Sequence, residues 1–271
     1  MDSIARIERK RKILELLNQR NFGIEELAKL LNISPITLRK DLQDLQKQGL
    51  INRVWGGVTL ASHALKEQPF EDKDVDSLKE KRIIARTALT LVKPNEVIGL
   101  GGGTTTFELS KLLADVTNIQ VITNSVNTAY MLLRLGIRII MPGGISREGS
   151  YSLVNHKINE FFEGIFLDKY FLEVDGIDID GGLTTLRSAE VELMSAMISV
   201  ANTVIVLADS TKLGQRRFTT IGPIEKIDLL ITDHKASKDV IRIFEKKGIK
   251  IEIASPEGDE EETSMSAYKF K

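Results

Sequence analysis

No cysteine occurs anywhere in the chain, which excludes disulfides and thiolate metal sites. Histidine is scarce. His63, His156 and His234 stand far apart, with no i, i+4 pair to hold a metal on one helix face, so no metal site is expected. No stretch approaches the roughly 18 apolar residues of a membrane span, and no apolar signal region opens the chain, so a cytoplasmic protein is expected. Internal repeats are missing too. Charge is nearly balanced: 37 Lys and Arg oppose 38 Asp and Glu for a net of −1, which on its face argues against nucleic acid.

That balance hides an asymmetry. Residues 1–60 carry 11 Lys and Arg against 7 Asp and Glu, while the rest carries 26 against 31. A basic head therefore precedes an acidic body. At 271 residues the chain is long enough for one small domain and one larger one, each with its own core. Ile7–Leu17 reads as the first helix of the head. Across residues 22–58 a short amphipathic helix meets a tight turn, then a second helix, then a Gly-rich two-strand turn. The second helix opens on Ser34 as N-cap and Pro35 at the first helical position, where a missing N–H costs nothing. Leu38, Leu42 and Leu45 make one apolar stripe. Thr37, Lys40, Asp41 and Asp44 are expected on the opposite face, flanked by Arg39 and Gln43. A helix apolar behind and cationic in its first two turns is what a major-groove reader requires, so double-stranded DNA is the expected partner. The run Arg9-Lys10-Arg11-Lys12 could touch phosphates, or be a solvated helix face.

This stretch resembles the winged helix-turn-helix of the DeoR family of bacterial transcriptional regulators. The matches are Glu26-Leu27-Ala28, Ile33-Ser34, Thr37-Leu38-Arg39-Lys40-Asp41-Leu42 and the wing Arg53-Val54-Trp55-Gly56-Gly57. Lys40 stands where the family has Arg, and Trp55 where it has His. Lys pairs with phosphate but lacks the planar fork that grips guanine. The resemblance implies DNA contacts from Ser34, Thr37, Arg39, Lys40, Gln43, Arg53 and Trp55.

Residues 61–76 have no sustained period and many charges, and read as a linker between a 1–60 head and a 77–255 body; the acidic residues 256–271 are expected to be disordered. Leu78–Val92 reads as a helix. Strands are expected at Glu96–Leu100, Ile119–Thr123, Arg138–Met141, Lys169–Val174, Thr203–Ala208, Asp228–Thr232 and Lys250–Ala254. Helices fit between them at Thr105–Ala114, Val126–Leu135, Ala189–Ala201 and Lys238–Lys247. The expected fold class is α/β, a winged helix-turn-helix followed by a mostly parallel sheet covered on both faces.

The sharpest site in the body is Gly99-Leu100-Gly101-Gly102-Gly103-Thr104-Thr105-Thr106, a strand, a Gly-rich turn and a helix start. Such a turn aims backbone N–H groups and the positive end of a helix dipole at one point, which suits a phosphate. A dinucleotide fingerprint would need Gly at position 104, and a P-loop would need a Lys after the glycines; neither is present. Other strand ends add polar turns: Thr123-Asn124-Ser125, Gly143-Gly144, the acidic run from Asp175 through Asp178 to Thr185, and Asp209 to Gly214. Ligands of open parallel sheets bind beyond such strand ends. A calcium loop counted from Asp178 fails, with Leu183 and Ala189 at its sixth and twelfth positions. Carboxylates there would accept sugar hydroxyls, and Lys212 would supply charge.

Nearly all of residues 77–235 resembles the DeoR-family sensor domain, which looks like sugar-phosphate isomerases. The matches are Gly101 to Thr105, Ile122 to Ser125, Asp175 to Asp178, Gly181 to Thr184 and Asp209 to Gly214. The resemblance implies a phosphorylated sugar or similar effector, and no cofactor. Its contacts would come from Gly102, Gly103, Thr104, Thr105, Thr123, Asn124, Ser125, Gly143, Gly144, Asp175, Asp178, Thr184 and Lys212. Gly101 and Gly102 replace the family's Asp and Ser, Met194 a Lys, and Leu186 a Pro, so contacts to the effector beyond its phosphate are expected to differ. The expected function is an effector-controlled DNA-binding regulator, a repressor acting as a dimer or tetramer. The alternatives are an isomerase-like enzyme with Asp175 or Asp178 as base, and a constitutive DNA-binding protein with a vestigial pocket.

Overall fold

The computed structural model describes residues 9–10, 12–14, 16–17, 20–47, 51–54, 57–60, 70–147, 150–155 and 157–256. Trp55, His63, His156, residues 61–69 of the expected linker and 257–271 of the expected tail lie outside the described residues.

In the head, helix α1 (Ile24–Leu30) turns into helix α2 (Pro35–Lys47), followed by the antiparallel hairpin β1 (Ile51–Val54) and β2 (Gly57–Leu60). Ser34 caps α2, its hydroxyl accepting from Thr37 N at 3.1 Å. Leu38, Leu42 and Leu45 are buried as their spacing requires, against Ile13, Leu17, Leu27 and Val58. Phe22 is pinned to the wing by reciprocal backbone bonds with Val58 at 3.2 and 2.9 Å.

One expected feature of the head is overturned. Asp41 is not on the outer face of α2 but only 1% exposed, and Arg9 Nε donates to its carboxylate at 2.5 Å. Residue 41 lies three after Leu38 and four before Leu45, so helical geometry turns it inward with them. Lys10 likewise donates to Asp44 at 2.9 Å. Half of the basic run thus ties the first helical segment to α2, where phosphate contact was one expectation.

The body runs through α3 (Phe70–Val75), α4 (Leu78–Leu89), β3 (Val97–Leu100), α5 (Thr104–Lys111), β4 (Gln120–Ile122), α6 (Val126–Arg134) and β5 (Arg138–Ile140). A small hairpin, β6 (Ile145–Ser146) with β7 (Leu153–Val154), and helix α7 (Ile158–Phe162) precede β8 (Lys169–Glu173). Then follow β9 (Gly176–Asp178), β10 (Gly182–Thr185), α8 (Val191–Val200), β11 (Val204–Leu207), β12 (Thr219–Gly222), β13 (Leu229–Asp233), α9 (Lys238–Lys246) and β14 (Ile251–Ala254). Helix α3 falls within the segment read as linker, where a six-residue helix carries too little pattern to register.

Seven strands form one parallel sheet in the order β14-β13-β11-β8-β3-β4-β5. Alternate residues of each strand feed the two faces: Tyr170 and Leu172 pack with α7, α8 and α9, while Phe171 packs with α4, α5 and α6. Being buried on both faces, the strands read as short apolar runs. The chain winds outward from β3 to β5, then returns to β8 and winds the other way to β14. Winding therefore reverses between β3 and β8, and the carboxyl ends of those two strands flank the crevice this creates.

The run Asp175–Thr185, read as an open acidic turn, is instead mostly paired. β9 and β10 form a hairpin and β12 adds to it antiparallel, making a second, three-stranded sheet. Among the described residues, no helix is long and apolar enough to cross a membrane.

Leu42→Ala should cost the head about 2–5 kcal/mol by leaving a cavity. Asp41→Ala should cost about 1–3 kcal/mol by taking the acceptor from Arg9. Urea unfolding followed by fluorescence of Trp55, the single tryptophan, checks both; an Asp41→Ala head as stable as wild type would contradict a structural role for that carboxylate.

Candidate functional site

The outer face of α2 and the wing share one open concavity, lined by Ile36, Arg39, Lys40, Gln43, Gln46 and Arg53. Four of these are expected DNA contacts, and their side chains are exposed. Ile36 and Gln46 were missed. Their signal was available: Ile36, Arg39, Gln43 and Gln46 follow helical spacing, and an exposed Ile on a polar face, 67% accessible, invites a thymine methyl. Ser34 and Thr37 have a local task, their hydroxyls lying 2.8 Å apart at the cap.

The second site is a cavity of about 320 Å³ at the point where the sheet reverses. Its wall takes Gly102 to Thr105 from the turn after β3, Glu173 to Asp175 from the end of β8, and Asp209, Thr211 and Lys212 after β11. Helices α3 and α4 close it with Phe70, Lys73 and Lys81. Four cationic side chains (Lys73, Lys81, Arg187, Lys212) face four acidic ones (Asp76, Glu173, Asp175, Asp209). Such a wall suits a small ligand that carries both an anionic group and hydroxyls.

Buried charge holds the wall in place. Arg187 is 5% exposed; its Nη2 donates to the Glu173 carbonyl at 3.1 Å, and its guanidinium lies within 4 Å of the carboxylates of Asp175 and Glu190. Glu190 also pairs with Arg147 at 2.9 Å. Asp175 accepts from Thr185 Oγ1 at 2.8 Å and Leu186 N at 2.9 Å, and sits 3.6 Å from Lys73. Burial by itself would raise the Asp175 pKa, but Arg187, Lys73 and these bonds outweigh it and hold the carboxyl well below the ordinary range. At Glu173 burial wins over Arg187 and the bonds from Thr106, and its pKa is raised.

The turn after β3 departs from expectation. Its helix amides are not turned to open space: Thr105 N and Thr106 N both donate to Glu173 Oε2 at 3.0 Å, and Thr106 Oγ1 lies 3.2 Å from Oε1. Gly103 makes room for that contact, because a Cβ there would lie 1.8 Å from Glu173 Oε1 and displace the carboxylate. Nothing in the sequence flagged Glu173, since contact between the ends of two strands 68 residues apart is a property of the sheet.

Of the expected effector contacts, Gly102, Gly103, Thr104, Thr105, Asp175 and Lys212 meet at this cavity. The others do not line it, although Asn124 Oδ1 lies 3.3 Å from where a Cβ on Gly102 would be. Thr123 and Ser125 are buried and spend their hydroxyls on the start of α6, while Asn124 donates to Leu153 O at 3.1 Å. Gly143 and Gly144 lead into the β6–β7 hairpin, with Gly144 against Val154. Asp178 folds back on its own turn, accepting from Gly181 N at 2.6 Å and Asp180 N at 3.2 Å. Thr184 is fully buried, bonded to Gly176 O and Arg217 N. Polar residues at strand ends serve local turns as readily as ligands, and sequence spacing does not separate the two. Lys73, Asp76, Lys81, Glu173, Arg187, Asp209 and Thr211 are polar cavity residues that were missed as contacts.

A winged reading helix joined to a parallel-sheet body with a cavity at its switch point defines a two-domain, ligand-responsive DNA-binding regulator. Two family models match the chain, the DeoR-like helix-turn-helix domain over residues 9–64 and the DeoR C-terminal sensor domain over residues 76–234. The chain belongs to the DeoR family of transcriptional regulators. It is 35% identical to the HTH-type transcriptional regulator GolR of Listeria innocua over 249 residues, 91% of this chain and 98% of that one. With GlpR of Haloferax volcanii it shares 33% identity across 90% and 96% of the two chains. With the glycerol-3-phosphate regulon repressor of Escherichia coli K12 it shares 29% across 91% and 98%. Among solved structures, a D-ribose-5-phosphate isomerase in complex with phospho-erythronic acid is 23% identical, covering 50% of this chain and 53% of that one at a TM-score of 0.39.

Because the folded Asp175 pKa lies below the ordinary value, its ion pairs stabilise the protein fully above about pH 4 and lose that contribution as pH falls toward the folded value. Asp175→Asn should therefore flatten the fall in melting temperature below pH 4. Parallel melting curves for variant and wild type across that range would refute the pairing.

Proposed function

We propose that the protein is a transcriptional repressor that grips its operator as a homo-oligomer and releases it when a phosphorylated sugar or related metabolite enters the cavity, and that it performs no catalysis. Domains of about 1–60 and 77–255 divide these tasks. Paired heads would meet half-sites about 34–36 Å apart or a multiple of that. Arg39, Lys40, Gln43 and Arg53 supply the DNA face, with Ile36 and Gln46. The lysines of the cavity supply charge for a phosphate, and Asp175 and Asp209 accept hydroxyls. The names of relatives, a glycerol-3-phosphate regulon repressor among them, are in keeping with such an effector.

One contact carries the coupling. The strap 214–218 crosses behind the cavity: Gly214 N donates to Ile177 O at 2.8 Å, and Arg217 Nε to the Asp175 carbonyl at 2.9 Å. The next residue, Phe218, packs against the apolar core of the head. A ligand that moves Asp175 thereby moves a side chain on which the head rests, and a ligand preferring one arrangement shifts the balance between them. Catalysis is disfavoured at both candidate bases. Asp175 is held ionised by Arg187 and Lys73, far from the near-neutral pKa a general base needs, and Asp178 is occupied by its own turn.

The test is release of a selected operator, obtained from random DNA with the full chain, by a panel of sugar phosphates, beside an isomerase assay. Turnover, or no release by any of them, would overturn the proposal. Arg39→Ala should lose roughly 1–3 kcal/mol on the operator and flatten base preference; equal weakening on all DNA would make Arg39 a phosphate contact only. Phe218→Ala should still bind the effector but release DNA far less in response, whereas unchanged release would place the coupling elsewhere.

A further inference from the structure

Glu173 fills a seat that the rest of the local geometry builds for an anion. Two successive amides at the start of α5 converge on one of its oxygens, and the Thr106 hydroxyl reaches the other. A glycine at 103 lets the carboxylate come that close, and the side chain is 6% exposed at the wall of the cavity. Position 101, where the resemblance places an acidic residue, is Gly here, with its missing side chain pointing toward Glu173 Cγ, 3.8 Å from where a Cβ would be. In this chain the acidic side chain next to the turn comes from β8, the neighbouring strand of the sheet, and it rests on the helix amides.

We infer that Glu173 is a specificity-determining residue that keeps phosphate off the start of α5, so that the effector presents a hydroxyl or ammonium donor there and its phosphate to the lysines across the cavity. This rests on the reading of the cavity as the effector site. The chemistry follows from acceptor capacity. Oε2 already takes two amides, whereas Oε1 lies 3.2 Å from the Thr106 hydroxyl, whose single hydrogen has a closer acceptor in the Gly101 carbonyl at 2.7 Å, so Oε1 keeps its lone pairs for a donor. A phosphate approaching the same point would find both amides already bonded to the Glu173 side chain. To displace it, the ligand would have to break the two amide hydrogen bonds and rebury the side chain elsewhere. Lys73, Lys81 and Lys212 offer the phosphate an alternative on the same wall.

The experiment uses the full chain labelled with ¹⁵N-threonine, titrated with inorganic phosphate and separately with a neutral pentitol. In wild type, phosphate should leave the Thr105 and Thr106 amide signals in place, and the pentitol should shift Thr106. Glu173→Gln, which keeps the seat filled without the charge, should still exclude phosphate from those amides. Glu173→Ala should open the seat, bind phosphate roughly tenfold more tightly and shift both amides. Phosphate shifting Thr105 and Thr106 in wild type would overturn the inference, as would a folded Glu173→Ala protein with no gain in phosphate binding, or a pentitol that leaves Thr106 unmoved. If Glu173→Ala does not fold, the wild-type and Glu173→Gln titrations still decide. Operator release by sugar phosphates is read separately, so failure here is distinguishable from failure of the effector reading.

Discussion

A parallel sheet that reverses its winding between two adjacent strands must leave a cleft at their carboxyl ends, because the crossovers leave in opposite directions. In this protein those strands are β3 and β8, and the residues of the cavity gather where they end. The turn after β3 starts α5. The end of β8 supplies Glu173 and Asp175. The turn after β11 brings Asp209 and Lys212. These positions meet because β11, β8 and β3 are consecutive neighbours in the sheet, so that adjacency sets the chemistry of the cavity.

Placing so many ionisable groups out of water is costly unless each is paired, and the site is arranged accordingly. Arg187 stands among Glu173, Asp175 and Glu190. Burial acts in the same direction on Glu173 and Asp175, yet the two end with opposite pKa shifts. The difference lies in their neighbours: Asp175 has two cations and two strong donors, while the cations near Glu173 do not offset its desolvation. The same network joins ligand to reader, since the strap that hangs Phe218 on the head is itself hung on the Asp175 carbonyl.

Much of the fold was legible because its signals are local. Short apolar runs separated by helical periods give a parallel sheet, and Ser34-Pro35 before a leucine stripe gives the reading helix. What misled were residues whose type suits two roles. Asp41 looks like part of a polar face but lies between buried leucines in the helical register and serves Arg9. Thr123, Ser125 and Asp178 have the polarity of ligand contacts, yet their hydrogen bonds are spent on their own turns, and Asn124 donates to the β6–β7 hairpin. The hairpin of β9 and β10 was read as an open loop because its Asp and Gly content masks strand alternation.

The sequence by itself determined the two-part plan, the basic head, the glycines after β3 and the kinds of group that could meet a ligand, since propensity, periodicity and capping act over a few residues. Only the tertiary structure decided which of those groups face the cavity. It brought in Lys73 from a helix hidden in the linker and Arg187 from beyond the acidic hairpin, and it set Glu173 on the amides of α5. Those contacts join segments tens of residues apart, and the free energy that selects them comes from burying charge and closing the sheet, which no local pattern records.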